Sequence, residues 1–346
     1  MRVLNVHGPG DVRLDPASPS EAGPNDVILH VAACGICGSD LSYIRHGRVG
    51  GRKATDKVPI PLGHEAAGVV VKVGSAVPDV KPGMRMIVNP TTPVSLIGSG
   101  GDEGAFAERL LVRGAQRDVT LYPMPEGMDF ETAALAEPLT VSLHGVNRGQ
   151  LQPTDKAVVF GAGPIGLGMV LWLKRWGVTN VISVDLSPYR LERARLLGAT
   201  ATVVAGKEDV RERLADIHGH RRTRYGDLVG TDVYFDTAGA PSIVPDVIAM
   251  AKPDARLVIT AVYAEPVEID LARFLTREMH ITSAIGSPTE FPEVIAMLAE
   301  HGEKARLLIS HRMSFGDIMA ALDAARSPES AKVVVLFPPG SESNCT

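Results

Sequence analysis

The sequence predicts an α/β protein made of two differently built parts, a β-rich one and a doubly wound parallel sheet, and three observations predict it. Apolar runs in the first third are short and broken by glycine- and proline-containing turns such as Lys81-Pro82-Gly83. From Lys156 onward, strand-like and helix-like patterns alternate. The chain has 346 residues, 45% of them hydrophobic, enough for two cores at roughly 150 residues per domain.

In the first third the strand candidates are Asp26 to Ala32, Ala67 to Val73, Arg85 to Val88 and Ala105 to Val112. Such spacing suits a small barrel or sandwich with long functional loops. The middle begins with a buried-type strand, Lys156 to Phe160, followed by a glycine turn and an apolar helix to about Trp176. Strand Asn180 to Asp185, helix Pro188 to Leu197 and strand Ala201 to Ala205 come next. Further strands are expected at Asp232 to Asp236, Arg256 to Thr260 and His280 to Ile285, with a helix from Ser242 to Ala251. This alternation implies βαβ units and a parallel sheet. Helices Pro292 to Glu300 and Phe315 to Arg326 and a strand Ala331 to Phe337 close the chain.

The composition excludes several classes. Net charge is −5 and no basic run resembles a nucleic-acid face. Between Arg211 and Arg224 lie five arginines and two histidines, without the glycines or strand that a phosphate site needs, so this stretch reads as a solvated helix and loop. The start, Met1-Arg2-Val3-Leu4-Asn5, lacks a signal-peptide apolar stretch. No run reaches the roughly 18 apolar residues of a membrane span. Of the three cysteines, Cys34 and Cys37 lie close together and Cys345 is in the tail. They cannot build a disulfide framework, and a reducing, cytoplasmic setting is expected.

Gly161-Ala162-Gly163-Pro164-Ile165-Gly166 has the G-x-G-x-x-G form. Glycines at this spacing are common in turns, but these follow a strand and open a helix, and an acidic residue, Asp185, ends the next strand. Gly161 permits the tight turn, Gly163 lets backbone approach a pyrophosphate, and Gly166 lets helix pack on strand. Pro164 and Ile165 open the helix, whose free N–H groups attract phosphate. Asp185 accepts hydrogen bonds from ribose hydroxyls and repels a 2′-phosphate, which favours NAD over NADP. It can also serve as an N-cap, as can Ser187. Arg190, on the following helix, is the nearby cation that can soften this exclusion, although its helix-surface position favours solvation.

Cys37, the pair His64-Glu65, and Glu137 before Pro138 are the metal candidates. Their separations form no motif, and ten histidines offer many such sets. Local context raises them. Gly35 to Asp40 puts the cysteine in a flexible loop after a strand, Gly63-His64-Glu65 leads into an apolar strand, and Ala136-Glu137-Pro138-Leu139 opens a helix.

The stretches Cys34 to Asp40, His46 to Gly50, Pro61 to Gly68, Ala136 to Leu139 and Gly161 to Gly166 together resemble the zinc-dependent medium-chain alcohol dehydrogenases, nearest the sorbitol, xylitol and L-idonate branch. The resemblance implies a GroES-like catalytic domain, residues 1–147 rejoined by 287–346, and a Rossmann NAD-binding domain, residues 148–286. It implies one catalytic zinc held by Cys37, His64 and Glu137, with Glu65 a ligand or close behind. One thiolate, one imidazole and one carboxylate leave a fourth position open, as a catalytic site requires. Adjacent residues of an extended chain point to opposite sides, so His64 and Glu65 reach one metal only from an irregular turn or by exchange. Cys34 reads as a small buried residue.

By the same resemblance, zinc acidifies a substrate hydroxyl, hydride passes to the nicotinamide, and Ser39 takes the alcohol proton. Relatives carry a histidine three residues beyond that serine; here it is Ser42, which leaves the exit route open. Tyr43, Ile44 and Gly286 are the pocket candidates. The polyol branch commonly has a second tyrosine where Ile44 stands, and an arginine where Ser283-Ala284-Ile285-Gly286 ends. Loss of a phenol and a guanidinium weakens the preference for a polyhydroxyl ligand. Thr91 to Gly104 holds no cysteine, so the structural zinc lobe of most relatives is missing and one zinc per chain is expected. The expected function is hydride transfer between NAD(H) and a secondary alcohol or ketone of a polyol, sugar-derived or cyclic substrate. A dehydrogenase for less polar alcohols is the alternative, and a metal-free NADP-dependent reductase or a non-catalytic NAD-binding protein are remote ones. Partners are a small-molecule substrate and further copies of the chain in a homodimer or homotetramer.

Overall fold

The computed structural model describes all residues except 19, 94, 225, 287–288 and 340–346, so Cys345 lies outside the described residues. The chain divides into two compact units, residues 1–137 with 288–346, and residues 138–287.

The first unit is built around strand Val27–Gly35, nearly all of it buried. It pairs antiparallel with Glu65–Val73, with Arg109–Val112 and with the late strand Lys332–Leu336. Arg85–Val88, Leu121–Pro123 and Ile309–Ser314 extend this to a seven-stranded sheet. A smaller three-stranded sheet joins Arg2–Gly8, Asp11–Pro16 and Ile60–Pro61. Leu4, Val6, Val31, Ile60, Leu62, Phe106, Val333 and Val335 meet in the core. At roughly 25 cal/mol per Å² of apolar surface, such burial is the main term holding the sheets together.

Several expectations for this unit change. The first hairpin, Arg2–Gly8 with Asp11–Pro16, goes unseen in the sequence because Asn5, His7, Arg13 and Asp15 interrupt its apolar residues. The strand expected from Ala105 begins only at Arg109. The N–H groups of Ala105 and Phe106 instead donate to the carbonyls of Gly63 and Leu62, at 2.8 and 3.0 Å. The loop expected after Cys37 is a helix, Gly38–His46, with Cys37 as its N-cap. Helix Phe291–Ala305 runs past the expected end, with a non-helical residue at His301. A 3₁₀ turn, Phe315–Asp317, precedes helix Ile318–Arg326.

The second unit carries a six-stranded, all-parallel sheet. In spatial order its strands are Ala201–Val204, Asn180–Asp185, Lys156–Phe160, Val233–Asp236, Arg256–Ile259 and His280–Ser283. Parallel strands need crossovers, and helices Pro164–Arg175, Pro188–Leu197 and Ile243–Met250 supply them. This is the doubly wound order that reverses beside its first strand. The arginine-rich stretch differs from the expected helix and loop. Helix Val210–His218 is followed by an antiparallel pair, His220–Thr223 with Gly226–Val229. Arg221, Arg222 and Arg224 are exposed, but His218 is buried and shares a 2.8 Å hydrogen bond with Thr231 Oγ1. Among the described residues no helix is long and apolar enough to cross a membrane.

Candidate active site

A buried carboxylate organises the metal corner of the first unit. Asp40, fully buried, accepts the N–H of Cys37 at 2.9 Å and that of Gly63 at 3.1 Å. It thereby ties the start of helix Gly38–His46 to the turn that carries His64. Gly63 has φ +89°, and a Cβ on it would lie 2.6 Å from the backbone nitrogen of Phe106, so only glycine fits. The His64 Nδ1 lies 3.6 Å from an Asp40 oxygen, the outer carboxylate that commonly orients a ligand imidazole.

Glu65 opens the strand that follows, and the turn at Gly63 frees the pair from strict alternation. Both Glu65 carboxylate oxygens accept from the Lys332 Nζ at 2.6 Å, and both side chains are buried. The same ammonium donates to the Ile36 carbonyl at 2.9 Å. Gly35 makes the room: a Cβ there would lie 1.9 Å from Glu65 Oε2. The donor atoms of Cys37, His64 and Glu65 lie within 4.8 Å of one another, the one such group among the described residues. Glu137, in the first turn of helix Ala136–Arg148, is outside that trio but acts electrostatically on His64.

The corner is rich in negative charge. Burial pushes the Glu137 carboxyl up to about 7, with Glu65 and Asp40 adding to the shift and His64 and Lys332 opposing it. Burial disfavours the His64 imidazolium, but Asp40, Cys37 and Glu137 outweigh that and raise it well above its ordinary value. Several anions competing for one proton is the electrostatic signature of a place for a cation. A thiolate, an imidazole and carboxylates at these separations suit zinc, whose ligands bind at about 2.0–2.3 Å.

The glycine turn of the second unit is built from backbone. Gly161 has φ +95°, and a Cβ on it would meet Thr237 Oγ1 at 2.6 Å; a Cβ on Gly166 would lie 1.8 Å from the Gly161 oxygen. At Gly163 a Cβ meets nothing within 4 Å, so this position faces open space. Gly163 is the N-cap of helix Pro164–Arg175, with Pro164 in the first turn and no side chain capping it, which leaves N–H groups for phosphate oxygens. Asp185 Oδ2 accepts the Ala162 N–H at 2.6 Å and Oδ1 the Ser187 N–H at 2.7 Å. Ser187, not Asp185, caps helix Pro188–Leu197 by accepting the Arg190 N–H. The aspartate thus braces the turn and stands where a ribose would be read. These groups fit a dinucleotide.

The family models agree with this geometry. An alcohol dehydrogenase GroES-like domain matches residues 23–126, and a zinc-binding dehydrogenase domain matches residues 164–300. Mouse sorbitol dehydrogenase is 33% identical over 98% of this chain and 96% of its own. The chain belongs to the zinc-dependent medium-chain alcohol dehydrogenases. Among solved structures, 2R,3R-butanediol dehydrogenase from Bacillus subtilis is 28% identical, with a TM-score of 0.84 over 97% of this chain and 99% of that one. An Escherichia coli alcohol dehydrogenase solved with NADH is 27% identical, with a TM-score of 0.84 over 97% and 99%. As a member of this family the protein is an enzyme, an NAD- and zinc-dependent alcohol or polyol oxidoreductase with a GroES-like and a Rossmann part.

The remaining site candidates of this dehydrogenase fall unevenly. Ser39 lies in the first turn of helix Gly38–His46, one turn before Tyr43, whose phenol burial pushes up, with Ser39 among the neighbours that oppose the shift. Ser42 is exposed and Tyr43 is half-buried. Ile44 does not line open space: it is 3% exposed and packs in the core with Leu4 and Val6, because its helical position turns it inward. Gly286 has φ +46° and open space around it, so its backbone conformation already favours glycine. Cys34 is buried, as the sequence suggests. Asp40 and Lys332 go unnoticed in the sequence. A carboxylate three residues after an N-cap is a capping pattern that can reveal Asp40. Lys332 offers only the oddity of a lysine opening an apolar run.

Proposed function

We propose that this dehydrogenase oxidises a secondary alcohol of a polyol, sugar-derived or cyclic substrate with NAD, and that Cys37, His64 and a carboxylate hold its single zinc. The convergence of Cys37, His64 and Glu65 within 4.8 Å carries the reading. Glu65 stands nearest the thiol and imidazole, and Glu137 is the second carboxylate available to the same ion. When bound, zinc supplies Lewis acidity towards the substrate hydroxyl. Asp40 orients His64, Lys332 neutralises and holds Glu65, and Ser39 accepts the alcohol proton. Tyr43, one helical turn beyond Ser39 and half-buried, is the next station, in the place left by Ser42. Gly161, Gly163, Pro164, Ile165 and Gly166 receive the pyrophosphate, and Asp185 reads the ribose and disfavours NADP.

The catalytic part is residues 1–147 with 287–346 and the cofactor part 148–286, the family's arrangement. A homodimer or homotetramer and a cytoplasmic setting complete the reading. The edge strand His280–Ser283 and the exposed Val262 and Ile285 support self-association, and Cys34 and Cys37, both free among the described residues, support a reducing compartment. The test is NAD reduction by the purified enzyme across polyols, sugar acids, cyclitols and simple secondary alcohols, with metal analysis. One zinc per chain, loss of turnover with a chelator and loss of zinc in His64→Ala are expected. Two zinc ions per chain, or tighter binding of NADPH than NADH, contradict the assignment.

A further inference from the structure

The turn that carries His64 is braced from outside the metal corner. Two arms of chain converge on Gly63. One is the approach from Pro59 through Leu62. The other is the stretch from Leu96 to Gly104, which holds no cysteine and packs on the first arm through backbone. A Cβ on Gly98 would lie 2.1 Å from the Gly63 oxygen, and one on Gly104 would lie 2.5 Å from the Leu62 oxygen. No side chains interdigitate at these glycines; the backbone bonds of Ala105 and Phe106 join the arms beyond Gly104, which leaves the 100–102 loop for a side chain to hold.

Arg52 does so. It sits on a short hairpin, Arg48–Val49 with Arg52–Lys53, whose Val49 a Cβ on Gly100 would meet at 3.1 Å. Its Nη1 donates to the carbonyls of Gly100 and Gly101 at 2.8 Å each and reaches the Asp102 carboxylate at 3.0 Å. Its Nη2 donates to the Pro59 carbonyl at 3.3 Å. One guanidinium therefore ties both arms together. A planar fork of donors serves both arms from one side chain, whereas an ammonium is a compact point charge. Without it, three carbonyl oxygens converge with no cation among them, and the backbone bonds from Ala105 and Phe106 to Gly63 and Leu62 lose their support.

We propose that Arg52 is a positioning residue for the metal histidine, fixing the Gly63 turn, and through it His64, by clamping the 100–102 loop to Pro59. This rests on the reading of Cys37 and His64 as zinc ligands. The test compares zinc-loaded wild type, Arg52→Met, Arg52→Lys and Asp102→Asn by competition against a chromogenic chelator. The visible spectrum of the cobalt-substituted proteins and thermal unfolding are recorded alongside. Arg52→Met is expected to hold zinc about tenfold more weakly or worse, as loss of an outer-shell support does, with a shifted cobalt spectrum. Arg52→Lys should be intermediate. Asp102→Asn should stay within about twofold of wild type, because that carboxylate is 77% exposed and such pairs contribute little. A folded Arg52→Met with wild-type zinc affinity and cobalt spectrum overturns the proposal. Should that variant not fold, wild-type affinity in Arg52→Lys overturns it equally. Wild-type protein that binds no zinc overturns the site reading instead.

Discussion

The metal corner and the glycine turn are built in opposite ways. The metal corner gathers charge: Asp40, Glu65 and Lys332 are all buried there, and Glu137 stands beside them. The cofactor unit builds its turn from backbone and keeps its buried histidine uncharged. Desolvation, with Lys156 nearby, holds His218 down to about 4. A corner made of charge depends on pairing and fails when one partner is removed. A turn made of backbone depends on space and fails when an atom is added.

The strongest way to break this contrast is Lys332→Met, which leaves the Glu65 carboxylate buried without its cation. Removing one partner of a buried pair typically costs about 3–5 kcal/mol, so urea unfolding of the metal-free protein should show a loss of that order. A loss below about 1 kcal/mol would mean that the corner does not rely on pairing.

His218 gives the next largest effect. Its folded pKa is depressed, so below about pH 6.5 the unfolded chain binds a proton that the folded chain refuses. The stability it confers is complete above that pH and drains away as pH falls towards 4, by up to about 3 kcal/mol. His218→Asn keeps a partner for Thr231 and removes the titration. The gap between the two unfolding free energies should therefore shift in favour of the variant between pH 6.5 and 4.

Smallest in stability, and sharpest in discrimination, are two glycine changes. Gly166→Ala forces a methyl against the Gly161 carbonyl and should cost about 1–3 kcal/mol. Gly163→Ala adds a methyl in open space and should leave stability within about 0.5 kcal/mol, yet weaken NADH binding measured by fluorescence titration. Equal NADH affinity in Gly163→Ala and wild type would show that the pyrophosphate does not sit there.

The same contrast explains what the sequence could tell. Every residue of the glycine turn lies within one strand–turn–helix unit, so local spacing reveals it, and Lys156–Phe160, Asn180–Asp185 and Pro188–Leu197 form where periodicity puts them. The metal corner draws on four separate stretches, at residues 37–40, 64–65, 137 and 332, which no local pattern connects; only likeness to a family points to its ligands. Asp40 escaped notice because its work is done by bonds to backbone, and Lys332 because its partner lies 267 positions away. Residue type alone does not say which way a helix turns a side chain, so the sequence offers Ile44 to the pocket while the helix turns it into the core. Apolarity cannot distinguish sheet pairing from the bonds that Ala105 and Phe106 make to the Gly63 turn, so the Ala105 to Val112 run reads as one strand.

The Lys332 clasp also bears on how the chain comes together. Its contact with Ile36 spans 296 positions, and the strand that bears it is the last partner of Val27–Gly35. The cofactor unit, by contrast, is one uninterrupted stretch. A chain emerging at about 5–20 residues per second exposes all of residues 138–287 before Lys332 appears. The cofactor unit can therefore close during synthesis, whereas Glu65 waits for its counter-ion until 267 further residues have been added. Truncation between Glu137 and Lys332 leaves the metal corner with its anions in place and its built-in cation missing.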